Sequence, residues 1–383
     1  MNGAATTSGG SSHPGTPGTP VTPVTPGARR TRTVGVLGAS GYAGAELLRL
    51  IARHPDLEVA WAAGDSTAHQ AVAARYPGLA AAYGELAFCS MEEGLDKGAD
   101  VLFLALPHGQ AAAVTPRVLG AGLTVDLSAD FRLRDPAAYP AWYGARHPHP
   151  EQLGAWPYGL PELYREELRG AAKVAVPGCY PTAALLALAP LVAAGLVEPE
   201  GIVVDAKSGI TGAGRSLQDP YLFAQANESV APYGVGSHRH TPEIEQELSR
   251  AAGVPVTISF TPHLVPLSRG LLATCYATPA PGVGDRELAA CYAEAYGDEP
   301  FIDLPLVDLA GRPATGSWPA TRAVATTNRA QVAAAADPRS GRVVAAAAID
   351  NLVKGAAGQA LQCANLAIGL PETTALDLVP PGP

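Results

Sequence analysis

Thr33-Val34-Gly35-Val36-Leu37-Gly38-Ala39-Ser40-Gly41-Tyr42-Ala43-Gly44 opens the part of the chain that can fold, and its reading sets the fold class. A short apolar run ends at Gly38. An amphipathic segment, Ala45-Glu46-Leu47-Leu48-Arg49-Leu50-Ile51, follows at once. Gly38-x-x-Gly41-x-x-Gly44 is a variant of the strand–turn–helix fingerprint in which glycines allow a tight turn, close backbone approach to a pyrophosphate, and close helix–strand packing. The phosphates would lie on the free N–H groups at the helix start.

The next segments repeat the alternation. Leu57–Ala63, Val101–Leu106, Leu123–Leu127 and Lys173–Val176 read as buried strands, with a helix from Gln110 to Leu119. Strands alternating with helices predict a parallel, doubly wound sheet whose site lies at the C-terminal strand ends. His108 and Arg132 stand there. Arg132 suits bidentate clamping of a phosphate or carboxylate. At the second strand end, Gly64-Asp65-Ser66-Thr67 is where an adenosine ribose would be read. Asp65 suits a free 2′-hydroxyl, as in NAD; Ser66 and Thr67 suit a 2′-phosphate, as in NADP. No arginine stands beside them, so the loop leaves both open.

Val176-Pro177-Gly178-Cys179-Tyr180-Pro181-Thr182-Ala183 carries the chemistry. The cysteine stands where a strand hands over to the uncharged Ala183–Ala194 helix. Free N–H groups and the positive end of the helix dipole gather there. That setting is expected to lower the thiol pKa and to favour a nucleophilic thiolate. A lone cysteine is also a small hydrophobe; Gly178 and the prolines, which build a rigid turn, favour the nucleophile.

Past Cys179 the pattern changes. Ile202–Lys207, Val254–Thr261, Gly270–Ala277 and Arg342–Ala348 read as strands of an α+β domain with a mainly antiparallel sheet. A second glycine-rich loop, Ser208-Gly209-Ile210-Thr211-Gly212-Ala213-Gly214-Arg215, opens no helix. In Gly236-Ser237-His238-Arg239-His240-Thr241-Pro242-Glu243-Ile244-Glu245, Thr241 is the expected N-cap, with Pro242 at the first helical position. His238 and His240 are the candidate base or acid for the cysteine. No further cluster at ligand spacing supports a metal. The last helix, Asp350–Leu361, is lined with small residues. Residues 1–32, a repeat of Thr-Pro and Gly, read as a disordered tail. The expected division is 33–178 plus 349–383 as one domain and 179–348 as the other.

The length of 383 residues suits two domains, and no apolar run is long enough to cross a bilayer. The net charge of -9 argues against a nucleic-acid partner. Five widely spaced cysteines, with no C-x-x-C pair, point to a reducing compartment, hence the cytoplasm.

The chain resembles the N-acetyl-gamma-glutamyl-phosphate reductases, through GASGYAGAELLRL, LPHG, DLSADFRL, YGLPELYREE, PGCYPTA, DAKSGITGAGR, HRHTPEIEQEL, FTPHLVPLSRG and AIDNLVKGAAGQA. The resemblance covers nearly everything from Thr33 to Leu370. It implies a Rossmann-type domain completed by the C-terminal helix, an inserted substrate domain, and a homo-oligomer, dimer or tetramer. It implies NADPH-dependent reduction of an acyl phosphate to N-acetyl-L-glutamate 5-semialdehyde in arginine biosynthesis, through a thioester on Cys179. His238, with His240 second, would shuttle the proton. Arg132 would hold the phosphate and Arg269 a carboxylate. Ser40, Gly41, Tyr42 and Ala43 would line the pyrophosphate, with Ser66 at the ribose loop; Ser208, Gly209 and Asn328 would lie on the nicotinamide side. The alternatives are a related semialdehyde dehydrogenase acting on another acyl phosphate, and a non-catalytic NADP-sensing regulator in which Cys179 is inert.

Overall fold

The computed structural model describes residues 31–118, 122–308, 310–376 and 379–380; the Thr/Pro-rich tail up to residue 30 lies outside them. Five strands, β1 (Arg32–Leu37), β2 (Leu57–Ala63), β3 (Val101–Leu104), β4 (Leu123–Asp126) and β5 (Lys173–Ala175), form a parallel sheet in the order β2-β1-β3-β4-β5. The order reverses direction at β1, so the crevice between the ends of β1 and β3 is the switch point where such sheets take ligands. Arg32 is already in the strand, paired with Leu57, so β1 begins one residue before Thr33.

The second sheet holds β6 (Ile202–Gly209), β7 (Ala231–Pro232), β8 (Ile258–Val265), β9 (Leu271–Ala277), β10 (Ile302–Asp303), β11 (Ala330–Asp337) and β12 (Arg342–Ile349). Its order is β10-β11-β12-β9-β6-β8-β7, with β10·β11 and β6·β8 parallel and the other pairs antiparallel. Burial alternates along β6, so one face packs inward and Val203, Asp205 and Lys207 stay half-exposed on the other. Strand β11 was not foreseen: it is alanine-rich, and its place is set by eight register pairs with β12 rather than by β-branched residues.

The helix Cys179–Ala193 is buried from Tyr180 to Val192 and packs on β9, β12 and the helix His240–Ala252. A helix apolar on every side belongs inside a core, and its lack of charge announced this. It begins at Cys179 itself rather than at Ala183 and continues through Pro190. The histidine helix starts at His240, so Thr241 and Pro242 lie inside its first turn rather than at cap and first position. Its inner stripe is Thr241, Glu243, Ile244, Glu247 and Leu248.

The chain returns to the first sheet at its end. Val353–Ala357 form one π turn, and Gly358–Ala367 an α-helix, in place of the continuous helix expected from Asp350. Val353, Ala357, Ala360, Leu361 and Ala364 join Val34, Val36, Phe103 and Val125 in one core. Ion pairs reinforce the return. Arg269 meets Glu46 at 2.6 Å and Asp350 at 3.5 Å. Lys354, fully buried, gives hydrogen bonds to Glu162 at 2.6 Å and Gln362 at 2.8 Å.

Removing one charge of a buried pair strands the other. Lys354→Met is expected to destabilise the protein by about 3–5 kcal/mol in denaturant unfolding. The double variant Lys354→Met/Glu162→Leu is expected to recover most of that loss.

Candidate active site

At the end of β1, Gly38 has φ +78, and a Cβ there would lie 2.2 Å from the Ala105 carbonyl oxygen. Only glycine fits so close to the neighbouring strand in that conformation. The Gly41 N–H then closes the turn on the Gly38 carbonyl at 3.0 Å. The helix Tyr42–Ile51 starts with no side-chain cap. Its first N–H groups therefore remain available to an anion, and the turn fits the pyrophosphate of a dinucleotide.

The ribose loop touches this turn, since a Cβ on Gly64 would lie 2.6 Å from Ser40 Oγ. One Asp65 oxygen accepts the Met91 N–H at 2.8 Å. Thr67 is buried, its hydroxyl on the Gly64 carbonyl, while Ser66 is exposed. From the second glycine-rich loop, Arg215 reaches over the turn. Its guanidinium lies 5.7 Å from the Tyr42 ring and 5.5 Å from the Tyr76 ring, and donates to the Tyr76 hydroxyl at 2.9 Å. The Tyr76 hydroxyl in turn donates to the Ser40 carbonyl at 2.6 Å.

Further along the same sheet edge, Gly178 caps the cysteine helix and Cys179 is its first residue. The Gly178 N–H donates to Glu243 at 3.0 Å. The same carboxylate accepts the Tyr158 hydroxyl at 2.8 Å and Arg132 at 3.3 Å. Arg132 also donates to the carbonyls of Val176 at 2.7 Å and Leu127 at 2.8 Å. It is buried, and three of its five N–H donors are engaged by Glu243 and the two carbonyls, so it helps to hold the turn together. Glu243 was not singled out from the sequence. A glutamate in a first turn reads as a dipole partner, and only the buried stripe Thr241/Ile244/Leu248 hinted that its side chain points inward.

Cys179 is half-buried, facing Gly355 of the π turn, where a Cβ would lie 2.7 Å from its own. Burial pushes its thiol up to about 11, against the pull of the Tyr180 N–H and Arg132. This corrects the expectation of a lowered pKa: desolvation of the thiolate outweighs the helix terminus.

The two histidines meet beside this turn. His240 packs on Gly178 so tightly that a Cβ there would lie 2.3 Å from Nε2. Its Nδ1 is buried without a partner. His238 sits 4.8 Å from it, ring to ring, among Tyr180, Tyr233 and Phe260, and its Nδ1 accepts the His240 N–H at 3.1 Å. Burial lowers His238 to about 4 and pulls His240 down as well. Both rings are thus neutral at pH 7. His240, the second choice from the resemblance, is the ring against the cysteine turn.

Arg269 is engaged by Glu46 and Asp350, which leaves it a cross-link rather than a carboxylate ligand. Asn328 is fully buried, with its amide N–H on Gln362 and its Oδ1 without a hydrogen-bond partner among the described residues. Ser208 is buried at the end of β6 and Gly209 backs onto Leu267 and Arg269. The pair His108–Asp130, 2.6 Å apart, was not assigned a task. Asp130 also accepts the N–H groups of Gly109 and Ala112.

Residues 33–171 match the family model of the semialdehyde dehydrogenase NAD binding domain, and 179–351 that of the semialdehyde dehydrogenase dimerisation domain. The N-acetyl-gamma-glutamyl-phosphate reductase of Acidothermus cellulolyticus is 51% identical over 339 residues, 88% of this chain and 95% of that one. That of Moorella thermoacetica is 48% identical over 341 residues, 88% and 96% of the two chains. The chain belongs to the N-acetyl-gamma-glutamyl-phosphate reductase family. The chain shares its fold with solved aspartate semialdehyde dehydrogenases. The Vibrio cholerae enzyme II, complexed with ASA, superposes with TM-score 0.66 at 16% identity over 89% of this chain and 99% of that one. The Candida albicans enzyme, solved with NADP, gives 0.58 at 16% over 88% and 98%. In this reductase-family chain, the fingerprint turn and the cysteine turn lie at the C-terminal ends of strands of one sheet, as such a fold requires of a site.

Below its pKa a thiol's reactive fraction rises tenfold with each pH unit. With Cys179 near 11 and neutral imidazoles, its alkylation rate by iodoacetamide, followed by mass spectrometry, is expected to climb about tenfold per unit between about pH 7 and about pH 9. A plateau in that range would mean that the helix terminus outweighs burial.

Proposed function

We propose that this chain reduces N-acetyl-L-glutamyl 5-phosphate to N-acetyl-L-glutamate 5-semialdehyde with NADPH, the reaction arginine biosynthesis uses, through a thioester on Cys179. The observation that carries this reading is the cysteine at the first position of a buried helix, with a neutral imidazole packed on its cap. When bound, the nicotinamide supplies the two electrons of the reduction. The chain supplies the rest. Cys179 Sγ bonds to the acyl carbon, its proton passes to His240, and the carbon–oxygen bond to phosphate breaks. The Tyr180 N–H, already turned towards the sulfur, is placed to support charge at the helix start. After reduction the carbon–sulfur bond breaks, the aldehyde leaves, and Sγ recovers a proton from the imidazolium. A neutral ring suits the first transfer and a buried one the return.

NADP is favoured over NAD by the cation beside the fingerprint turn, while Asp65, one oxygen of which accepts the Met91 N–H, keeps acceptor capacity for a ribose hydroxyl. Ser66 is exposed, and Arg215 brings a cation to the turn. A homo-oligomer is favoured by the half-exposed face of the second sheet, within the residues that match the dimerisation domain. The five cysteines, free in the structure, suit the cytoplasm.

Phosphate- and NADP-dependent oxidation of N-acetylglutamate semialdehyde tests the reading. Cys179→Ser is expected to lower turnover by at least about a thousandfold while leaving NADPH binding, followed by fluorescence, unchanged. Retained turnover would refute the thioester. In the same binding assay Arg215→Ala is expected to weaken NADPH about tenfold, the loss of one charge-assisted contact, and NADH hardly at all.

A further inference from the structure

Two arginines from loops of the second sheet reach one side of the dinucleotide-binding helix. Tyr42 opens that helix, and Glu46 follows one turn later on the same side, since residues four apart are helical neighbours. Arg215 lies over Tyr42. Arg269 pairs with Glu46 at 2.6 Å. Glu46 is buried, and Arg49 shares its carboxylate at 2.6 Å. Burial would push that carboxyl up, but the hydrogen bonds from Arg269 and Arg49 hold it below the usual carboxylate range. Asp350 adds a second carboxylate to Arg269 at 3.5 Å. Two guanidinium groups thus face two carboxylates. The cluster is neutral and paired within itself, which suits a tie between elements.

The tie continues into the loop that carries Arg215. Arg269 belongs to the turn at 266–270, between β8 and β9. The second glycine-rich loop hangs on that turn. The Gly209 N–H donates to the Gly270 carbonyl at 2.8 Å and the Ile210 N–H to the Leu267 carbonyl at 2.8 Å. The Thr211 hydroxyl donates to the Ser268 carbonyl at 2.5 Å. Asn351, next to Asp350, locks the two loops together: its Oδ1 accepts the Gly270 N–H at 2.8 Å, and its amide donates to the Thr211 hydroxyl at 3.0 Å. Gly212, Ala213 and Gly214 then lead to Arg215 at the tip, where the guanidinium donates to the Tyr76 hydroxyl at 2.9 Å. The stem of this loop is therefore fixed to one end of a helical turn by Glu46, and its tip lies over the other end. A loop held in place before its ligand arrives binds with less loss of entropy.

Resting on the reading of Arg215 given above, we propose that Arg269 is a positioning residue for the cofactor. Its tie to Glu46 fixes the stem of the second glycine-rich loop, and so places the Arg215 guanidinium where it distinguishes NADPH from NADH. Arg269 itself touches neither cofactor nor substrate; it acts through the loop.

The test compares full-length Arg269→Met, Arg269→Lys, Arg215→Ala and the double variant Arg269→Met/Arg215→Ala. Binding of NADPH and of NADH is followed by fluorescence, and amide hydrogen exchange by mass spectrometry on the cofactor-free protein. Arg269→Met is expected to weaken NADPH about threefold to tenfold, no more than Arg215→Ala does, and NADH by less than about twofold. Added to Arg215→Ala, the same change should cost less than about twofold more, because both act through one contact. Exchange over residues 209–214 should quicken about tenfold in Arg269→Met, while β11 and β12 keep their protection. Arg269→Lys keeps the charge on Glu46 without the planar fork, so it should recover part of the NADPH affinity. Should Arg269→Met fail to fold, Arg269→Lys takes its place in the comparison. Additive losses in the double variant would overturn the proposal and leave Arg215 as a cofactor contact. Equal losses for NADPH and NADH would overturn it as well, by showing that the bared Glu46 charge repels either pyrophosphate. If Arg215→Ala alone left NADPH binding unchanged, the cofactor reading of Arg215 would fail and the proposal with it.

Discussion

A single buried carboxylate organises the catalytic end of the molecule. Glu243 takes the backbone N–H of Gly178, the hydroxyl of Tyr158 and the guanidinium of Arg132. Those partners come from the cysteine turn, the long connection and the loop after β4, while Glu243 itself belongs to the histidine helix. A charge with no exposure survives only with such partners. The requirement runs both ways: Arg132 is equally buried, and it needs Glu243 and two carbonyls to remain so.

The consequence for chemistry is a turn held by directional bonds on every side. Gly178 carries no side chain because His240 and Arg132 occupy the space one would need. The imidazole is thereby pressed against the helix start. Burial leaves the thiol protonated and the rings neutral at rest, so the proposed thioester route would draw its nucleophile from proton transfer within the assembled site rather than from a standing thiolate. A protonated thiol is also slower to oxidise, because oxidation proceeds through the thiolate.

Much of this was legible in the sequence. The Gly38/Gly41/Gly44 spacing and the alternation of strands and helices gave the parallel sheet, because backbone geometry and period leave few other solutions. The uncharged run after Cys179 announced a buried helix. What stayed hidden depends on tertiary neighbours. Arg132 and Arg269 looked like free cations because the carboxylates that engage them, Glu243 and Glu46, are 111 and 223 residues away along the chain. Glu243 drew no reading of its own, because the helix dipole alone accounts for an acid in a first turn. The thiol pKa was misjudged because the helix terminus is visible locally and the desolvation is not.

The way the last helix completes the first core has a bearing on biogenesis. The parallel sheet emerges early from the ribosome, yet Val353, Ala357, Leu361 and Ala364 cover part of its apolar side. Until those residues are synthesised, Val34, Val36 and Phe103 lack that cover. The amino-terminal sheet must therefore wait, incompletely packed and open to chaperones, until a segment about three hundred residues downstream has been made.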